Sequence, residues 1–92
     1  MREKALTRLR KEMDAVDKVI LSALAKRANL SKKIGKYKLG KGLRALDKTR
    51  RKQLLKSRVA MAKAMNISSK LVNQIFVRIH KESIAIQKRI KP

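Results

Sequence analysis

Ninety-two residues make one small domain, and so short a chain buries a limited core by itself, which makes association with a second chain a natural source of buried surface. With no cysteine the chain excludes disulfides and cysteine-based metal sites, and no apolar run reaches the roughly 20 residues needed to span a bilayer. Its 27 lysines and arginines against 6 acids give a formal charge of +21, so composition alone favours polyanions, nucleic acid first, as partners.

The start of the chain (Met1, Arg2, Glu3, Lys4) runs directly into amphipathic sequence and not into the short apolar core of a signal peptide, so a soluble cytoplasmic protein is expected. Four of the acids, Glu3, Glu12, Asp14 and Asp17, lie near that start. Between Lys18 and Lys81 the only acid is Asp47, and a lone carboxylate in so basic a stretch points to a local role. The glycines are Gly35, Gly40 and Gly42, the one proline is Pro92, and nothing divides residues 1–92 into separate domains.

The first predicted helix runs from about Arg2 to Leu39. Leu6, Leu9, Met13, Val16, Ile20, Ala23 or Leu24, Leu30, Ile34 and Tyr37 recur at steps of three and four for most of its length. A stripe this long suits a helix packed along its length against a partner, as in a coiled coil. Gly35 inside it costs about 1 kcal/mol against alanine, which points to a close approach at that position. The Gly40-Lys41-Gly42 cluster ends the helix.

A second helix starts near Asp47 to Thr49, either of which can cap it, and turns Leu54, Leu55, Val59 (or Arg58), Ala62 and Met65 inward. Asn66, Ile67, Ser68 and Ser69 form the next break, with Ser68 a good N-cap. The Asn66-Ile67-Ser68 triplet reads as this break and not as a glycosylation site. A third helix carries Leu71, Val72, Ile75, Phe76, Ile79, Ile86 and Ile90. The class is all-α, three helices with a long first one. His80 is expected to be partly exposed, and the four methionines to fill the core.

Two stripes are interrupted by polar residues. Arg27 falls where Met13 and Ile20 precede it and Ile34 follows, and reads either as an arginine snorkelling from the edge of the core or as an anion ligand. Lys38, eleven residues on, faces nearly the same way with its Cα about 16 Å from that of Arg27. Arg10 lies about 26 Å up the same helix from Arg27, so one helix cannot bring both to one small ligand. If both serve one site, Arg10 arrives from an antiparallel second copy. In the third helix the face of Val72, Phe76 and Ile79 continues through Ser83 and Gln87 before Ile90. Polar groups on such a face need partners, and the pair reads either as buried residues bonded to backbone or as donors facing a cavity.

Taken in order, these residues resemble the all-helical chorismate mutases. The stretches that carry the resemblance are Leu9 to Asp17, Leu24 to Arg27, Ile34 to Lys38, Asp47 to Arg50 and Glu82 to Gln87, and it extends from about Leu6 to Arg89 without insertion. It implies three helices in an intertwined homodimer, no cofactor, and rearrangement of chorismate to prephenate on the way to phenylalanine and tyrosine. By position it implies that Arg27, with Arg10 from the partner chain, clamps the two carboxylates, assisted by Ser83. Lys38 would reach a carboxylate and the ether oxygen, and Gln87 would be the second donor to that oxygen. Asp47 would bind the ring hydroxyl through its backbone, with Arg50 ordering the substrate. The family usually carries glutamate next, where this chain has Arg51, a donor with no acceptor capacity. Three other functions compete: a basic helical nucleic-acid-binding protein, a lyase removing pyruvate from isochorismate on the same fold, and a weakly active regulatory relative. Basic residues spread over all three helices, with Tyr37 and Phe76 the only aromatics, offer little for base stacking and leave nucleic-acid binding incidental.

Overall fold

A computed structural model describes residues 2–92, with side chains from Glu3 onward. The described residues form three helices, α1 (Arg2–Gly40), α2 (Lys48–Ala64) and α3 (Ser69–Lys88), and no strand. The predicted class and helix order hold, with boundaries within a residue or two. No helix among the described residues is long and apolar enough to cross a membrane. The chain forms two units, Met1–Leu30 and Ser31–Pro92, and each is described by itself.

In the first unit every described side chain up to Lys26 is exposed. Its apolar stripe is uncovered, from Leu24 at 39% to Met13 at 63% exposure. Water holds no such stripe in place, because an amphipathic helix draws most of its stability from tertiary packing of its apolar face.

The second unit is organised by helix ends. At the end of α1, Gly42 takes a φ of +69°, its N–H donates to the Leu39 carbonyl at 3.2 Å, and the Leu43 N–H donates to that of Lys38 at 2.8 Å. This is a Schellman stop, for which a residue without Cβ is the natural choice. At the end of α2, Asn66 takes the same role with φ +56°. Its N–H donates to the Lys63 carbonyl at 3.3 Å and the Ile67 N–H to that of Ala62 at 2.9 Å. Asparagine is the common substitute for glycine there.

Helix starts are capped as the sequence indicates. The Asp47 carboxylate accepts from the Arg50 N–H at 3.0 Å, and the Ser68 hydroxyl accepts from the Leu71 N–H at 3.2 Å. The isolated acid at position 47 therefore has a definite structural task.

Between those ends, α2 and α3 form a helical hairpin around Leu54, Ala62 and Ile84. Arg58 and Val59 are both half-buried, and the Arg58 guanidinium stacks 5.7 Å from the Phe76 ring centre. Such a cation–π contact contributes on the order of 0.5–1 kcal/mol near a surface. Three expectations are corrected. The methionines do not fill the core: Met13 lies on the uncovered α1 stripe at 63% exposure and Met61 is 54% exposed, while Met1 lies outside the described residues. His80 is buried, at 9% exposure, because its position beside Ile84 and Val77 faces the α2 side of the hairpin. Met65 is not inward: it is the C-cap residue of α2, one position beyond the last turn, and is 65% exposed.

Gly35 is where α1 meets α3. A Cβ there would lie 2.9 Å from Ile90 Cγ1 and 3.0 Å from the Gln87 Cα, closer than packed carbon atoms allow. Overpacking of this kind costs about 1–3 kcal/mol, against about 1 kcal/mol gained from helix propensity. Gly35→Ala is therefore expected to lower stability in urea by about 1 kcal/mol; a gain would show that the approach is not tight. Asp47→Ala should lose about 1 kcal/mol through the missing cap, while Asp47→Ser keeps most of it.

Candidate active site

Close backbone approach at Gly35 sets two α1 side chains, Ser31 and Lys38, against α3. Ser31, Gly35 and Lys38 follow one another at steps of four and three, and so do Ser83 and Gln87 on α3 and Ile90 just beyond its end. The two series meet. The Ser31 and Ser83 hydroxyls are hydrogen-bonded to each other, and Ser31 is the most buried side chain there, at 2% exposure. One turn further on, the Lys38 ammonium donates to Gln87 Oε1 at 2.9 Å. Lys38 is half-buried and Gln87 buried, at 8% exposure.

The α1–α2 loop supplies a further partner. After the stop at Gly42 the chain folds back so that the Ala45 carbonyl accepts from the Lys38 ammonium at 2.6 Å. Two of the three ammonium N–H bonds are thereby directed at fixed neutral acceptors, one from each side. The third, and the undiminished positive charge, remain for a ligand oxygen. Because Gln87 Oε1 is taken up by Lys38, its amide N–H is the group it can offer a ligand. A cavity of about 170 Å³ opens at this point, lined by Gly35, Lys38, Leu43, Ala45, Gln87 and Ile90 among others. Fixed donors at a small, partly apolar cavity suit an anion or a developing oxyanion.

The remaining expected residues are placed as follows. Ser83 is half-buried on α3, one turn before Gln87. Asp47 and Arg50 are exposed at the start of α2, where the Asp47 carboxylate is engaged in capping. Arg51 is exposed and lines a different cleft, with Leu46, His80, Lys81 and Ile84. Arg10, exposed, and Arg27, half-buried, belong to the first unit. Lys38, Gln87 and Ser83 are thus brought together within the second unit, and Asp47, Arg50 and Arg51 of that unit are not among the residues lining the Lys38–Gln87 cavity.

Sequence reasoning missed Ser31 and the Ala45 carbonyl. Ser31 was detectable, since it continues the spacing from Arg27 towards Gly35 and Lys38 as a small polar residue on a packed face. A backbone carbonyl brought back by a loop carries no side-chain signal.

The family described as chorismate mutase type II matches residues 9–88, across both units. Among curated relatives, the bifunctional chorismate mutase/prephenate dehydratase of Buchnera aphidicola subsp. Acyrthosiphon pisum is 35% identical over 81 residues, 88% of this chain and 21% of that protein. The T-protein of Enterobacter agglomerans is 36% identical over 78 residues, 85% of this chain and 21% of its own length. The bifunctional chorismate mutase/prephenate dehydratase of Escherichia coli K12 is 28% identical over 88 residues, 96% of this chain and 23% of its own. The chain spans about a fifth of the length of these relatives. By the extent of the family match, the chain belongs to the chorismate mutase type II family.

Proposed function

We propose that the chain is a chorismate mutase, an isomerase that converts chorismate to prephenate in aromatic amino acid biosynthesis without a cofactor. The observation that carries this reading is the Lys38–Gln87 pair, a charged and a neutral donor fixed side by side at a small cavity. The reaction is a unimolecular [3,3] rearrangement in which the ether C–O bond breaks as a new C–C bond forms, with negative charge growing on the ether oxygen. Donors already in place there lower the barrier without reorganising, and removing one typically costs about 2.7–4 kcal/mol. Holding the reactive diaxial conformer supplies the rest, since the two ends must be brought into bonding distance.

In this reading Lys38 and Gln87 serve the ether oxygen, with Lys38 also reaching a carboxylate and Ser83 assisting. Arg27 clamps a carboxylate, a task suited to a planar guanidinium fork. Asp47 and Arg50 order the ring-hydroxyl end. Arg10 is supplied by a second chain, so the active form is a homodimer. Two sets of exposed apolar side chains support the dimer: the α1 stripe through Leu6, Leu9, Met13 and Ile20, and Met61, Met65, Leu71 and Ile75 on the hairpin. A monomer would leave both in water, and covering such surfaces is what drives association. A cytoplasmic location agrees with the cysteine-free chain.

Incidental binding of nucleic acid is a second property that one observation favours. Helix α2 carries Lys48, Arg50, Arg51, Lys52, Lys56, Arg58 and Lys63 with no acid. Such binding should weaken steeply with added salt, through counterion release.

The test is conversion of chorismate by the purified chain, with the product identified by chromatography. Prephenate is expected, and both Lys38→Ala and Gln87→Ala should lose about 10²–10³ in kcat while keeping helicity and dimer mass. Normal kinetics in either would remove the site assignment. Pyruvate released from isochorismate, with no prephenate from chorismate, would replace the mutase by the lyase. Met13→Glu should shift the mass in solution from dimer towards monomer; an unchanged mass would place the interface elsewhere.

A further inference from the structure

The mutase reading gives Ser31 no task, yet its side chain is 2% exposed and meets Ser83 across the α1–α3 contact. Packing alone does not call for a hydroxyl there. Alanine fills nearly the same space, forms helix better and brings no polar atom to desolvate. The burial of the Ser31 hydroxyl is compensated by its bond to Ser83. What Ser31 does is therefore tied to what Ser83 does.

The register of the two helices makes this pair. Ser31 precedes Gly35 by four residues and Ser83 precedes Gln87 by four, so each serine stands one turn before the closest approach. There a Cβ on Gly35 would lie 3.0 Å from the Gln87 Cα, and helices this close let two short side chains touch. Burial is unequal: Ser31 is enclosed, whereas Ser83 is half-buried. Of the two, Ser83 is the one able to present its hydroxyl to a ligand.

The protons fix the direction of the pair. A serine hydroxyl has one proton and two lone pairs, and a carboxylate only accepts. When a ligand carboxylate accepts from Ser83, the Ser83 proton is engaged with the ligand. The two serines then stay bonded only if Ser31 donates to the Ser83 oxygen. A hydroxyl whose oxygen accepts a hydrogen bond is polarised and becomes a stronger donor. With Ser31 removed, the Ser83 hydroxyl can turn to the Ile79 carbonyl four residues back in α3, a common alternative for helical serine. Its proton would then point away from the ligand.

We propose that Ser31 is a positioning residue, which donates to Ser83 and holds the Ser83 hydroxyl towards a carboxylate of the substrate. This role rests on the mutase reading, in which Ser83 assists a carboxylate. Its effect falls on binding, because the carboxylate is present in substrate and transition state alike. Lys38 and Gln87 act instead on charge that grows during the reaction.

The test is steady-state kinetics of chorismate conversion by Ser31→Ala, Ser83→Ala and the double variant. Ser83→Ala is expected to raise KM about tenfold or more and Ser31→Ala about fivefold, both with kcat within about twofold of the wild type. In the Ser83→Ala background, Ser31→Ala should change KM by less than about twofold, since the group it acts through is gone. Alanine is the better helix former, so each variant should keep wild-type helicity. A purely structural Ser31 would shift the urea midpoint and leave KM alone, or raise KM equally in both backgrounds; either result overturns the proposal. A loss of kcat at unchanged KM would overturn it too. No turnover by the wild-type chain would remove the mutase reading and this role together, whereas turnover with an unchanged KM in Ser31→Ala would remove this role alone.

Discussion

Lys38 held between Ala45 and Gln87 is the contact on which the site depends. Placing an ammonium group with two of its N–H bonds already directed at fixed acceptors removes most of its freedom before any ligand arrives. Each neighbour has its own structural cause. Ala45 is brought back by the left-handed turn at Gly42, and Gln87 is brought close because Gly35 lets α1 approach the α3 backbone. The placement of this ammonium is therefore a product of two glycines and a loop as much as of the lysine itself.

The same economy explains the balance of polar and apolar groups. In the second unit the polar side chains at the α1–α3 contact are paired with one another, Ser31 with Ser83 and Lys38 with Gln87, so their burial is compensated. In the first unit the described residues of the apolar stripe are exposed. A small chain that spends nearly forty residues on one helix gains stability by packing that helix against another molecule. The exposed stripe and the remote arginine of the proposed site are both met by the partner proposed above, a second copy.

Much of this was legible in the sequence, and for specific reasons. Helix limits were signalled by Gly40 to Gly42, Asp47, Asn66 and Ser68, whose conformational and capping preferences act locally. Lys38, Ser83 and Gln87 were conspicuous because polar residues interrupt apolar stripes, and Gly35 because it stands inside a helix. His80 was misjudged because no feature of its own position separates a buried imidazole from an exposed one; the approach of α2 buries it. The Ala45 carbonyl was invisible for a different reason, since backbone groups are present at every position and only the loop path selects one. Arg51 was conspicuous as a departure, but which cleft it lines follows from tertiary packing and not from its identity.

The central claim, a Lys38 site completed by Arg10 from a second chain, is tested most directly by mixing two inactive proteins. Arg10→Ala and Lys38→Ala each disable every site in their own homodimers. Unfolded together and refolded in equal amounts, they should recover about a quarter of the wild-type activity, one intact site in each heterodimer of a statistical mixture. Heterodimers that form, as judged by mass, yet remain inactive would contradict a site shared across the interface.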